Sequence, residues 1–197
     1  MYALFAEGLE SLRLPCSYVV LAPAIGVALF ARHRAAATIG AFVLAAALVA
    51  WLRFAGWWFE TPTGFTQVMV GVAMIGIAVL AFRADHWATD VGLGVVAGGV
   101  AVWSWIPCVG PELGDLIGEV GSAPWPNLAG TAAFMVGLLT PFVALAAIEA
   151  TFPKITAVLD HTWIRTAGAA VVVVMAVLVS TTLFDDLASE LAQRSTF

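Results

Sequence analysis

The sequence predicts an all-α membrane protein: six transmembrane helices, set as two inverted three-helix repeats with broken first helices. Three observations carry this reading. Of 197 residues, 62% are hydrophobic and 11% charged, against about 25% charged in a soluble domain. A chain of this size cannot bury so much apolar surface in one aqueous core. Six uncharged runs each approach or exceed the roughly 17–25 residues that cross a hydrocarbon core as a helix. The two cysteines, Cys16 and Cys108, each follow a proline and fall at matching places in the two halves.

The runs are Leu14–Ala31, Ala35–Leu52, Thr61–Phe82, Val91–Pro111, Val120–Ile148 and Thr166–Phe184. Backbone groups in lipid must bond within the segment, so each is read as a helix. Glu7 and Glu10 precede the first run, where a cleaved signal would be cationic, so that run is expected to be a retained helix. It opens on Pro15-Cys16 and contains Pro23. The fourth run is rich in glycine (Gly92, Gly94, Gly98, Gly99) before Trp105-Ile106-Pro107-Cys108-Val109-Gly110-Pro111, where a break is expected. Small residues let helices approach closely and weaken a helix intrinsically. Pro124 and Pro126 place the start of the fifth helix near Asn127. The tail Asp185-Asp186…Glu190…Arg194 reads as a short exposed helix or a frayed end.

Arg32, Arg34, Arg83, Lys154 and Arg165 follow spans one, three and five; Arg13, Arg53 and Arg194 lie on the opposite side. The positive-inside rule then puts both termini outside an inner cell membrane that the chain crosses several times. A net charge of −5 offers no basic patch, which excludes nucleic acid as a partner. His33, His86 and His161 have no metal-ligand spacing, and no metal or cofactor is expected. Trp51, Trp57, Trp58, Trp87, Trp125 and Trp163 border the runs and read as interfacial anchors. Trp103 and Trp105 differ, because they lie within the fourth run just before Cys108.

Aligning Cys16 with Cys108, an offset of 92, brings the later spans of the two halves into step. The chain therefore divides into repeats at 1–88 and 89–197, each a broken helix followed by two helices. With three spans each, the halves enter the membrane from opposite sides. In inverted-repeat folds the interrupted helices mark the working site, and here they carry the cysteines.

The thiolate is the nucleophile of disulfide exchange, and a free cysteine ionises near pH ~8.5. Desolvation in lipid disfavours the anion further. A proline just before the cysteine can start a half-helix, whose free N–H groups and dipole stabilise an anion. Gly110 and Pro111 loosen the backbone beyond Cys108, and Pro15, Pro23 and Pro107 are expected to shape the other breaks. Carbonyls freed by prolines need protein or water, which implies a water-accessible cavity. Glu112, Asp115 and Glu119 share a helical stripe after the break. They read as a solvated helix end that suits the dipole, with a proton relay through Glu112 and Asp115 as the alternative. Cysteine is also a common small core residue, so the pair alone leaves a packing role open.

The stretch from Trp105 to Gly114, with its Pro-Cys-Val-Gly-Pro core, resembles the second cysteine motif of the cytochrome c biogenesis transmembrane family, of the CcdA and DsbD membrane-domain type. Leu14-Pro15-Cys16 with Pro23 downstream is similar to its first motif. The family usually has prolines three and six positions after that cysteine, where this chain has Val19 and Ala22. The resemblance implies a thiol-disulfide oxidoreductase with Cys16 and Cys108 as its redox pair and no bound cofactor. Its implied partners are a cytoplasmic thioredoxin-like donor and an extracytoplasmic thioredoxin-fold acceptor that serves cytochrome c maturation. Electrons would run outward from thioredoxin, near about −270 mV, to a more oxidising compartment. Two other readings stand beside it: a small transporter of a soft metal or another solute, or a non-catalytic subunit of a larger membrane complex.

Overall fold

The computed structural model describes residues 2–14, 17–30, 35–56, 64–84, 86–105, 111–152 and 161–181, with isolated positions from 183 to 193. Helices α1 (Tyr2–Glu10), α2 (Tyr18–Phe30), α3 (Ala35–Phe54), α4 (Phe65–Ala84), α5 (Trp87–Trp103), α6 (Pro111–Ser122), α7 (Leu128–Leu138), α8 (Thr140–Thr151) and α9 (Thr162–Ser180) follow one another, and a 3-10 turn (Ser11–Arg13) ends α1. No strand occurs among the described residues. Among the described residues, two helices are long and apolar enough to cross a membrane, within α3 (Ala36–Phe54) and α9, and the bent pair α7–α8 makes a third span if it counts as one. Shorter apolar stretches fill α2, α4 and α5.

Three of the expected spans therefore have a different form. The first run begins just after the 3-10 turn and holds α2, only 13 residues long, whose helix continues through Pro23 rather than breaking there. The fourth run is not one span. Helix α5 ends at Trp103, and the next described helix, α6, has its own amphipathic pattern. Leu113, Leu116 and Val120 of α6 are buried, while Asp115, Gly118 and Glu119 are exposed. A proline at 107 would clash, in a continued helix, with the carbonyl of residue 103, which is where α5 stops. The helix of the fifth run has Asn127 as its N-cap, as expected, but bends by 70° between α7 and α8. Pro141 is the cause: it lacks the N–H that would bond to Gly137. The Thr140 hydroxyl donates to the Val136 carbonyl at 2.9 Å, satisfying one carbonyl at the bend.

The remaining boundaries have local causes. Gly56, at φ +76°, ends α3 in the left-handed conformation that glycine favours, and its N–H donates to the Arg53 carbonyl. His86 caps α5, its Nδ1 accepting from the Ala88 N–H at 3.3 Å.

Helix pairs meet through glycines at backbone distance. Helices α3 and α5 run side by side in the same direction. A Cβ added at Gly94 would stand on the Thr38 carbonyl oxygen, and one at Gly98 on that of Phe42. Helices α1 and α7 repeat the arrangement, with Gly8 on the Phe134 carbonyl and Gly137 on that of Phe5. Gly26 and Gly168 join α2 to α9, with Gly168 also close to the Phe30 backbone. Helices α4 and α9 are antiparallel: Gly71 abuts Ala176 and Ser180, and the Gln67 side chain donates to the Thr181 carbonyl at 3.1 Å. Between these pairs lies a core containing Phe30, Phe42, Trp105, Phe134, Met135 and Leu138.

Two glycines of one helix should respond oppositely to the same change. Gly98→Ala drives a methyl into backbone that cannot move aside, and is expected to cost about 1–3 kcal/mol. Gly92→Ala meets no atom within 4 Å and should stabilise by up to about 1 kcal/mol through helix propensity. Thermal unfolding of the two variants in detergent checks the pair.

Candidate functional site

Pro15, Cys16, Pro107, Cys108 and Gly110 lie outside the described residues. The residues on either side of both dipeptides are described, and they define the surroundings. The first dipeptide falls between the 3-10 turn and α2, the second between α5 and α6. Pro111 opens the described part of α6 and Glu112 is its second residue, though neither side chain is described; Asp115 is exposed on its outer face. Pro23 is buried within α2.

The second interruption is held from both ends. Arg53, in the last turn of α3, donates from one guanidinium nitrogen to the Val102 carbonyl at 2.7 Å and to the Trp105 carbonyl. Val102 is in the last turn of α5, the negative end of its dipole, and Trp105 lies two residues beyond that helix. On the other side Glu7, from α1, accepts a hydrogen bond through Oε1 from the Leu113 N–H at 3.0 Å. Leu113 is the third described residue of α6, and it is buried. The Trp105 indole stacks on Phe134, with centroids 6.3 Å apart and planes at 21°. The Phe134 carbonyl in turn abuts Gly8, next to Glu7. Arg53, Trp105, Phe134 and Glu7 thus form a chain of contacts that spans the interruption from α5 to α6.

Polar groups without partners gather at the same places. Ser17 follows Cys16 directly and is 1% exposed; Ser104 and Trp105 precede Cys108 by four and three residues and are 3% and 2% exposed. Ser17 Oγ, Ser104 Oγ and Trp105 Nε1 are buried and make no hydrogen bond. Thr38 Oγ1, at the start of α3, is in the same condition. Buried polar groups are paired in the great majority of cases, and exceptions ask for an explanation such as a functional role or bound water.

Several sequence expectations are revised by this geometry. Arg53 is not a loop cation facing the outer water: it is half-buried and bound to α5. Trp51 is not a lipid-facing anchor either. It is 4% exposed, its Nε1 donates to the Pro124 carbonyl at 2.8 Å, and its ring packs on Trp125 at 5.1 Å. Trp87, Trp125 and Trp163 are exposed, as anchoring requires; Trp57 and Trp58 lie outside the described residues. His86 and His161 stand at the N-caps of α5 and α9, and both are exposed. His33 lies outside the described residues.

Glu7 and Arg53 were legible in sequence only as charges near apolar runs. The signal that would have singled out Arg53 is its place directly after a run long enough to span, where a helix that continues one turn further carries the cation with it and the cation needs acceptors inside the protein.

Trp105 separates packing from polarity. Trp105→Phe keeps the stack on Phe134 and removes the unpaired N–H, so it should change stability by less than about 1.5 kcal/mol. Trp105→Ala empties the site and should cost about 3–5 kcal/mol. Unfolding midpoints of both variants in the same detergent decide this.

No protein-family model matches this chain, and neither a curated protein nor a solved structure matches it.

Proposed function

We propose that this chain is a membrane thiol-disulfide oxidoreductase in which Cys16 and Cys108 form the redox pair. The observation that carries the reading is the coincidence beside both Pro-Cys dipeptides: each lies in sequence between two described helical segments, and the described residues next to each include buried polar groups without partners, Ser17 beside the first and Ser104 and Trp105 before the second. Thiol exchange needs this combination, because a sulfur in a dry apolar helix can neither ionise nor be reached.

The packing supports a six-span inverted repeat behind that chemistry. The 92-residue offset between the cysteines also relates Phe42 to Phe134. Each of these phenylalanines receives a glycine through its carbonyl, Gly98 on Phe42 and Gly8 on Phe134. Each glycine lies on the helix that precedes a Pro-Cys dipeptide. The end of α3 meets the turn before α7 through Trp51 and Pro124, so these repeat-equivalent helices point in opposite directions. The repeat-equivalent pair α4 and α9 is antiparallel as well.

In this reading the chain belongs with the cytochrome c biogenesis type of membrane relay. A reduced cytoplasmic thioredoxin-like protein attacks the membrane disulfide and leaves as its own disulfide, passing two electrons and two protons to the pair. The membrane dithiol then reduces the disulfide of an extracytoplasmic thioredoxin-fold protein and closes again. Both termini lie outside, and the electrons run from inside to outside without further energy input.

Differential thiol trapping on native membranes tests the proposal. Oxidised membranes should yield a Cys16–Cys108 disulfide that thioredoxin reduces, and Cys16→Ala should capture a thioredoxin-fold protein on Cys108. If the two cysteines never join in any redox state, the proposal fails. Solute or metal uptake that survives loss of either cysteine would favour a transporter instead.

A further inference from the structure

We infer that the cleft between α3 and α5, with Arg53 at its head, binds one anionic phospholipid, its phosphate on the guanidinium and an acyl chain in the cleft. The site stands apart from the cysteines and does not depend on their chemistry.

The cleft holds about 210 Å³ and is lined by Val49 of α3 and by Val95, Val96, Gly99, Val100 and Trp103 of α5. Its walls are aliphatic, apart from the indole of Trp103. Val95 is 47% exposed, so the cleft opens sideways from the helix pair. Helix α3 is long and apolar enough to cross a membrane, which turns that opening toward hydrocarbon. Gly99 creates the hollow. A Cβ there would meet only Val49 Cγ2, at 3.7 Å, whereas one at the neighbouring Gly98 would strike backbone. From Val95 to Trp103 the cleft follows about 12 Å of α5, at roughly 1.5 Å per residue.

Arg53 closes one end. It follows Val49 by four residues, one turn along the same side of α3. On α5 it reaches the carbonyl of Val102, next to Trp103. Both of its hydrogen bonds, to Val102 and Trp105, leave from the single nitrogen Nη1. Nη2 and Nε make no bond to the described residues, yet neither is among the buried atoms without partners, so they are open to the surroundings. No carboxylate among the described residues forms an ion pair with Arg53. Asp115 and Glu119 of α6 are exposed.

A half-buried cation at the end of an apolar helix is costly until an anion answers it. The ligand must therefore be charged at one end and apolar along its length. A neutral apolar molecule leaves the guanidinium without a counter-ion, and a soluble anion leaves the cleft empty. A phospholipid meets both demands, because phosphate oxygens match the planar guanidinium fork. Trp103 sits where the head group joins the chain, the level that indoles favour.

Native mass spectrometry of the full chain in detergent tests the site, with dioleoyl-phosphatidylglycerol and dioleoyl-phosphatidylcholine as probes. Their chains are identical, so only the head group differs. The first phosphatidylglycerol should bind about three- to tenfold more tightly than the first phosphatidylcholine. Arg53→Gln should bring the two within about 1.5-fold of each other. Gly99→Leu fills the cleft without touching backbone and should weaken the first binding of both lipids by about threefold or more. Equal binding of the two lipids by the parent overturns the inference, as does a preference that survives Arg53→Gln. Unchanged lipid binding in Gly99→Leu also overturns it, and so does a dimer of the chain that Gly99→Leu dissociates while the parent carries no lipid. Should Arg53→Gln not fold, the parent's preference and its loss of affinity in Gly99→Leu decide: both together support the site, and the absence of either overturns it.

Discussion

Backbone contact between helices is the constraint from which the rest of this structure follows. Lipid is as apolar as leucine, so no hydrophobic gain draws one membrane helix to another. Close approach must come from van der Waals contact over many atoms, and side chains stand in its way. Gly8, Gly94, Gly98, Gly137 and Gly168 remove that obstacle where helices cross, and the chain's carbonyls press against the bare backbone. Once α3 and α5 are locked at Thr38 and Phe42, the end of α3 is carried to the end of α5. Arg53 then reaches the Val102 and Trp105 carbonyls. Once α1 is locked on α7, Glu7 is brought to the Leu113 N–H of α6. The charges at the interruption are thus placed by glycines some distance away.

Sequence reading went furthest where one physical cause acted locally. The apolar runs that became α3 and α9 are long and carry no proline. Asn127 was read as the start of the fifth helix from the two prolines before it, and it is the N-cap of α7. Pro141 was equally visible, but its effect needs Thr140 and the packing of Gly137 on Phe5 to hold the bend. A proline in a membrane helix can be absorbed by small adjustments, as Pro23 is in α2. Which outcome a proline produces depends on neighbouring helices, and those are not written nearby in the chain.

The surroundings of the candidate site were harder to read for the same reason. Trp105 stood out because it precedes Cys108, but its stack on Phe134 spans 29 residues of sequence, and the bond from Glu7 to Leu113 spans 106. Arg53 and Trp51 were both assigned to the membrane border, since a cation and an indole at the end of an apolar run normally lie there. In the fold both turn inward, Arg53 to carbonyls and Trp51 to the turn before α7. Residues of the same type carry the same sequence signal whether they face water, lipid or protein.

The crossed packing of α1 on α7 and α5 on α3 has a consequence for the chain as a whole. The helix leading into each Pro-Cys dipeptide leans on a helix from the opposite half of the sequence, so neither half contains the scaffold for its own cysteine. A fragment ending after α4 would leave α1 without its seat and α3 without its cover. The two halves are tied together like clasped hands, so either one expressed alone would lack the surface its own helices close upon.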